Sequence, residues 1–431
     1  KSSIPTIKSR WRHLYQNYMK SLTNSKFYPW VVVALLGGVA LLNYMDRQML
    51  STMKDSMQMD ITDLQSATNF GRLMAVFLWI YGLMSPISGI IADNLSRKKL
   101  IVGSLLVWSS VTYLMGLATT YDQVFWLRAL MGVSEALYLP AGLALIADYH
   151  TGGSRSLAVG IHMTGLYLGQ AIGGFGATLA ATYSWHTTFH WFGIIGIVYA
   201  FVLLVFLKDS KRKVAETNAE TPQKPKTNVL VSLKSLFTNI AFWVILLYFA
   251  IPSLPGWATK NWLPTLFAEN LHLPMSQAGP MATITIAVSS FIGVLLGGIL
   301  SDKWVRKNIR GRIYTGAIGL SLTIPSLLLL GFGNSIVEVV CAGVLFGIGF
   351  GMFDANNMPI LCQFVGPNQR ATAYGVMNMV GVFAGAMITS VLGAWSDDGN
   401  LGMGFALLAA VVAVAIAVQL YSLRPKTDNV E

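Results

Sequence analysis

The chain has 431 residues, of which 54% are hydrophobic and only 11% are charged. Soluble globular proteins carry about 25% charged residues, so this composition excludes a water-soluble enzyme with a dry core and a charged surface. The 30 Lys and Arg residues outnumber the 19 Asp and Glu residues and give a formal charge of +11. A charge of this size is also typical of nucleic-acid-binding proteins. The distribution of the charge along the chain instead indicates a membrane protein that does not bind nucleic acid.

Twelve apolar stretches are each long enough to cross a lipid bilayer, which takes about 20 helical residues. We number them as spans one to twelve. Their approximate bounds are 30–50, 73–92, 100–118, 125–147, 157–183, 191–207, 242–267, 281–300, 314–332, 336–361, 374–395 and 403–421. The sequence therefore predicts an all-α membrane protein with twelve transmembrane helices.

The basic residues lie mostly in the connections on one side of these spans. Twenty-five of the 30 Lys and Arg residues fall in the segments 1–26, 97–99, 155, 208–234, 303–312, 370 and 424–426. Because Lys and Arg accumulate in cytoplasmic loops, both termini are predicted to be cytoplasmic. The positive charge then faces anionic lipid headgroups.

The polar stretches divide the chain into five parts. We predict a cytoplasmic N-terminal segment at 1–29, a six-helix bundle at 30–207, a cytoplasmic linker at 208–236, a second six-helix bundle at 237–423 and a cytoplasmic tail at 424–431.

The two halves carry an internal repeat. Gly89, Asp93, Arg97 and Lys98 follow span two, and Gly298, Asp302, Arg306 and Lys307 follow span eight with identical spacing. In spans four and ten, an acid stands five residues before a proline: Glu135 before Pro140, and Asp354 before Pro359. The repeat predicts two pseudo-symmetric six-helix bundles.

These motifs resemble the cytoplasmic signature of the major facilitator superfamily. Within it, the segment 43–47 of span one and the segment 128–136 of span four are similar to the anion:cation symporter group, which includes carriers of sugar acids and sialic acid. The same segments are also similar to spinster-type lysolipid transporters. The resemblance implies alternating access, a bacterial cytoplasmic (inner) membrane and an inner gate formed by Asp93, Arg97, Asp302 and Arg306. The alternative for these four side chains is that they form only solvated ion pairs.

Four charged residues inside spans one and four are candidates for function, because ionised side chains are costly in a membrane. We predict that Asp46 and Glu135 carry protons, since a carboxyl group in a poorly hydrated cavity holds a proton more readily. Arg47 and Arg128 are predicted to bind the carboxylate of a substrate with their planar donor groups. The alternative for all four is a set of fixed ion pairs between helices. Arg47 is favoured over Arg128, with its neighbour Asp46 as its partner in the empty state.

Other polar residues are weaker candidates. Lys260 lies in a proline-rich segment at 255–264 that is predicted to be interrupted, where it could bind substrate or extend to the outer interface. Tyr44, Asn356 and Asn357 are further candidates for substrate contacts, although polar residues often only pack helices together. Asp354 could take part in coupling, or it could belong to a gate or a helix interface. His162 could also take part in coupling, or it could serve only in helix packing.

We expect no cofactor and no metal site. Cys341 and Cys362 are too few for a thiolate site or a disulfide framework, and no nucleotide loop or nucleophile motif is present. Gly165, Gly169, Gly173 and Gly174 predict close helix packing in span five.

The sequence therefore predicts a proton-coupled secondary transporter that imports a small organic anion such as a hexuronate, an aldonate or sialic acid. Its partners are this substrate, protons and membrane lipids, and it is expected to be monomeric and not an enzyme. Lysolipid transport is the nearest alternative. A membrane receptor or scaffold that does not transport is an alternative of a different class.

The orientation can be tested by labelling single cysteines in a variant that lacks Cys341 and Cys362. Cysteines placed in 1–26, 208–236 or 425–431 should react with an impermeant maleimide only after the cells are opened. A cysteine at Lys54, in a connection predicted to be extracellular, is the control and should react in intact cells. Ready labelling of any of the three segments from outside would contradict the orientation.

Overall fold

The computed structural model describes residues 25, 27–150, 154–210, 229–366 and 369–425. Three predicted parts lie partly or wholly outside these ranges: the N-terminal segment up to residue 24, the linker at 211–228 and the tail from residue 426. The protein is an all-α membrane protein with twelve transmembrane helices in two pseudo-symmetric bundles, as the sequence predicts. In the described residues, ten of the helices are long and apolar enough by themselves to cross a bilayer, and spans three and five complete the twelve.

Three spans consist of two helical segments. In chain order the spans are Tyr28–Thr52, Ala67–Asn94, Arg97–Met115, Tyr121–Ala136 with Tyr138–Tyr149, Arg155–Gly173 with Gly176–Thr182, Trp185–Phe206, Ile240–Leu271, Met275–Val305, Gly311–Phe332, Ile336–Asp354 with Asn357–Phe364, Arg370–Asp397 and Leu401–Ser422. Shorter helices lie at Lys54–Met57, Thr62–Gln65 (a 3-10 helix) and Val229–Phe237.

The internal repeat of the sequence reappears in the helix packing. Span one packs on span five, span three on span six and span two on span four; in the second half, span seven packs on span eleven, span nine on span twelve and span eight on span ten. The halves meet mainly where span two packs on span eleven and span five on span eight. The space enclosed between them is where a site shared by both halves can form.

Glycines allow spans one and five to approach closely, as the sequence predicts. A Cβ atom at Gly165, Gly169 or Gly173 would collide with the backbone of span one, at Gly37, Leu41 and Met45 respectively. In lipid, helix association depends on such close packing, because burial of apolar surface gives little driving force there. Span five therefore packs closely against span one along several turns.

A cap between the halves closes the side of the bundle opposite the chain termini, which we call the distal side. Asp397, at the end of span eleven, accepts hydrogen bonds from the backbone N–H groups of Ala67 (2.6 Å) and Thr68 (2.8 Å) and from the Ser66 hydroxyl (2.9 Å). A carboxylate satisfies the free N–H groups at a helix start and the positive end of its dipole. Thr178 also donates to the carbonyl of Ser276 at 2.7 Å, so spans five and eight are joined on the same side.

Candidate functional site

A cavity of about 360 Å³ lies between the two halves. Spans one, two, four and five line it from one side, and spans seven, eight, ten and eleven from the other. Its lining extends from the middle of the helices toward the side that carries the chain termini, with Leu139, Met358 and Tyr374 at that end. Because the distal side is closed, this cavity is directed toward the terminal side.

Helix breaks place one acid of each half beside this cavity. Span four is interrupted at Leu137 and span ten at Ala355 and Asn356. A proline lacks the N–H group and clashes with the carbonyl four residues earlier, which for Pro140 and Pro359 lies within or next to each break. The two acids that precede these breaks are Glu135 and Asp354.

Arg47 and Glu135 form an ion pair at the cavity wall. Arg47 Nε lies 2.6 Å from Glu135 Oε2, which also accepts a hydrogen bond from Asn43 at 3.0 Å. The Glu135 side chain is fully buried, whereas that of Arg47 is 12% exposed and lines the cavity. The rings of Tyr44, Phe77 and Tyr81 surround the guanidinium group, with centroids 4.6–5.1 Å from its carbon. Aromatic faces favour a cation in this position.

The prediction that Asp46 pairs with Arg47 is wrong. Successive residues of a helix point about 100° apart, so Asp46 is directed away from Arg47 and into the first bundle. Its carboxylate accepts a hydrogen bond from the Thr112 hydroxyl at 3.3 Å, and it is absent from the cavity lining. Asp46 is 4% exposed, so its carboxyl group has little direct access to water.

Arg128 lies behind Arg47 and away from the cavity. Its guanidinium group is 4.4 Å from the centroid of the Phe77 ring, and Nη1 contacts the Met131 sulfur at 3.0 Å. It interacts electrostatically with Glu135, Arg47 and Asp46. The first half therefore contains a buried cluster of two arginines and two acids, which has no net charge when all four are ionised.

Lys260 lines the cavity from the second half. Its Nζ is 4.8 Å from the centroid of the Trp257 ring. The predicted interruption at 255–264 is wrong, because span seven is one continuous helix through its three prolines. Pro264 cannot donate to the carbonyl of Lys260 four residues earlier, and Gln48 of span one donates to that carbonyl at 3.0 Å instead. A side chain of the other half thus replaces the missing helical hydrogen bond.

The remaining candidates divide between the cavity and the helix interior. Asp354 and Asn357 line the cavity, and Asn357 Nδ2 donates to Asp354 Oδ1 at 3.0 Å. Asn356 is fully buried and donates to the carbonyl of Met352 at 2.8 Å. His162 is fully buried against Tyr138, with 6.0 Å between the ring centroids. Neither Asn356 nor His162 lines the cavity.

The predicted gate residues lie on the terminal side. Arg97 forms an ion pair with Asp148 and donates to the carbonyl of Ala144 at 2.6 Å, whereas the side chain of Asp93 is outside the described part of the chain. Asp302 contacts Arg312 at 3.3 Å, and Arg306 is exposed. Each motif therefore engages a charged residue beyond its own four positions, and the gate itself stays a prediction.

Several cavity residues were missed at the level of sequence. They are Tyr81, Gln170, Trp257, Ser290 and Asn378. For Trp257 a signal was present: it precedes Lys260 by three residues, as Tyr44 precedes Arg47. The others are single polar or aromatic residues within apolar helices, and only the packing of the two halves shows which of them face the cavity.

A comparison with known families decides the identity of the fold. The sequence model of the Major Facilitator Superfamily matches residues 36–390 of this chain. The chain belongs to the major facilitator superfamily. It is a transporter rather than an enzyme, as the sequence predicts.

Its similarities to individual proteins extend over most of its length. It is 25% identical over 403 residues to the hexuronate transporter of Bacillus subtilis (strain 168), covering 90% of this chain and 92% of that protein. It is 28% identical over 353 residues to a probable galactarate/D-glucarate transporter of the same organism, covering 75% and 76%. A crystal structure of a bacterial homologue of the human lysosomal transporter Spinster, in an inward-facing and occupied conformation, has a TM-score of 0.76 at 18% identity, covering 92% of this chain and 97% of that chain. This last similarity concerns the fold alone.

Proposed function

We propose that this protein imports a small organic anion of the sugar-acid class together with protons, by alternating access. The observation that carries the proposal is the Arg47–Glu135 ion pair, which is part of a buried charge cluster and reaches the cavity wall through Arg47. The names of its relatives, a transporter of hexuronate and a probable transporter of galactarate or D-glucarate, support the substrate class.

Charge balance links the anion to the proton. The buried cluster of Asp46, Arg47, Arg128 and Glu135 is neutral, so an anion that enters alone adds a net negative charge in a site with little water. An uncompensated charge there costs several kcal/mol. A proton on Glu135 removes that cost and releases Arg47, whose guanidinium group then faces the carboxylate of the substrate. Proton and anion therefore favour each other's binding.

The packing around the cavity supports a small polar substrate over a lysolipid. Lysolipid transport requires a lateral opening toward the bilayer, and spans two and eleven and spans five and eight pack against each other on the two flanks of the cavity. Asn378 donates to Ser85 at 3.1 Å on one flank. On the other, the rings of Tyr167 and Phe291 are in contact, with 5.9 Å between their centroids.

The proposed orientation places the terminal side in the cytoplasm of a bacterial cell, with the protein in the inner membrane. The cavity would then be directed to the cytoplasm and the Asp397 cap would close the outer side. Arg97, with its partner Asp148, and Asp302, with its partner Arg312, would act at the inner gate. We propose that the protein works as a monomer, since each chain contains a complete cavity.

Coupling can be tested in proteoliposomes that contain purified protein, with D-glucuronate as the labelled probe and a pH gradient as the driving force. Glu135→Gln and Asp46→Asn should each abolish accumulation against a gradient, because neither variant can load and release a proton at that position. Exchange of external for internal glucuronate is the internal control and should persist, since exchange needs no net proton movement. Accumulation by both variants at the level of the unmodified protein would exclude these residues as proton carriers.

Recognition of the anion can be tested with Arg47→Lys, measured by calorimetry with the same probe. Lysine keeps the charge but loses the planar pair of donors, so the dissociation constant should rise about tenfold to a hundredfold, which corresponds to about 1.5–3 kcal/mol for a charge-assisted hydrogen bond. Arg128→Lys is the matched comparison and should have a smaller effect, because Arg128 is not on the cavity wall. An unchanged dissociation constant for Arg47→Lys, with a large rise for Arg128→Lys, would assign the anion to Arg128.

A further inference from the structure

The second half of the chain contains a structural counterpart of the Arg47–Glu135 pair. Lys260 occupies span seven as Arg47 occupies span one, and each cation lies against an aromatic ring three residues earlier, Trp257 and Tyr44 respectively. Asp354 precedes the break of span ten as Glu135 precedes the break of span four. Each half therefore supplies one cation and one acid at equivalent positions.

The two pairs differ in one respect that bears on binding. In the first half the ion pair is closed at 2.6 Å and its acid is fully buried. In the second half, Lys260 and Asp354 both line the cavity and interact electrostatically, but no N···O distance of 4.0 Å or less joins their charged groups in the described structure. Asp354 is exposed to the cavity, and its side-chain hydrogen bond comes from Asn357. The acid of the second half is therefore accessible to a bound molecule.

A bound molecule that reaches this wall must satisfy a donor and an acceptor at the same time. A hydroxyl group can do so, because it donates one hydrogen bond, to Asp354, and accepts others, from Lys260. A carboxylate only accepts hydrogen bonds. Placed beside an ionised Asp354, a second carboxylate would be repelled at short range in a medium of lowered dielectric constant.

The charges of the cavity give the substrate a direction. Arg47 faces the cavity from the first half, so one carboxylate can be held on this side. Lys260 interacts electrostatically with both Arg47 and Asp354. Asp354 is the single acidic side chain in the lining of the described cavity. An acid with one charged end and hydroxyl groups at the other end matches this arrangement, whereas an acid with two charged ends does not.

We infer that Asp354 determines specificity, by making the cavity accept sugar acids with a single carboxylate and reject those with a second carboxylate at the far end. This inference rests on the proposed transport of sugar acids and narrows it to one chemical class. The relatives do not decide the point, since their names include both a carrier of hexuronate and a probable carrier of the dicarboxylates galactarate and D-glucarate.

The test compares D-gluconate with D-glucarate, which differ only in whether the last carbon is a hydroxymethyl or a carboxylate group. Each is used as a competitor of labelled D-glucuronate in uptake by proteoliposomes that contain the full chain. In the unmodified protein, the concentration that halves uptake should be at least about tenfold higher for glucarate than for gluconate. The ratio of these two concentrations measures the preference. Asp354→Asn should reduce this ratio at least about tenfold, because it removes the repelling charge and keeps the size of the side chain.

Two further variants separate the charge of Asp354 from its structural role. Asp354→Glu retains the negative charge and should retain the preference for gluconate. Asp63→Asn removes an exposed carboxylate outside the cavity and should behave like the unmodified protein. If Asp354→Asn is not recovered as folded protein, Asp354→Ser also removes the charge and gives the same comparison.

The possible outcomes distinguish this inference from the proposed function. Uptake of glucuronate with equal inhibition by gluconate and glucarate overturns the inference alone. So does a folded Asp354→Asn protein with an unchanged ratio, which would mean that Asp354 carries no charge when substrate binds. Absence of uptake of labelled D-glucuronate, D-gluconate and D-glucarate alike by the unmodified protein overturns the proposed function, and the inference with it.

Discussion

The arrangement of the site depends on the cost of holding ionised groups where water is scarce. Glu135 is fully buried, and its charge is balanced by Arg47 at 2.6 Å and by a hydrogen bond from Asn43. Removing one partner of such a pair leaves an uncompensated charge, which costs about 3–5 kcal/mol. The position of Arg47 at the cavity wall makes this balance sensitive to what the cavity contains. A bound anion and a bound proton both change it, in opposite directions.

The internal repeat gives the two halves a similar arrangement of acids and cations with different charge pairing. Proline-dependent breaks in spans four and ten present an acid from each half, and cations on spans one and seven stand opposite them. The first pair is closed and belongs to a buried cluster, and the second is open toward the cavity. On the distal side the Asp397 cap joins the start of span two to the end of span eleven, so any opening there must break hydrogen bonds that a charged group strengthens.

Patterns in the sequence predicted those features that depend on neighbouring residues. The span count follows from apolar length, and the equivalence of Glu135 and Asp354 follows from the spacing of each acid to its proline. Features that depend on distant contacts were left open or predicted wrongly. Arg47 pairs with Glu135 rather than Asp46 because helix geometry turns adjacent side chains apart. Span seven is continuous, and Gln48, 212 residues away from Lys260, replaces the hydrogen bond that Pro264 cannot make.

The central claim is that substrate and proton bind to one charge-balanced site. The direct measurement is calorimetric titration of purified protein with D-glucuronate, near neutral pH, in buffers that differ in ionisation enthalpy. If the two ligands are linked, the observed enthalpy will vary with the buffer in proportion to about one proton taken up per substrate bound, and Glu135→Gln will remove this variation. Binding with the same enthalpy in every buffer would contradict the account.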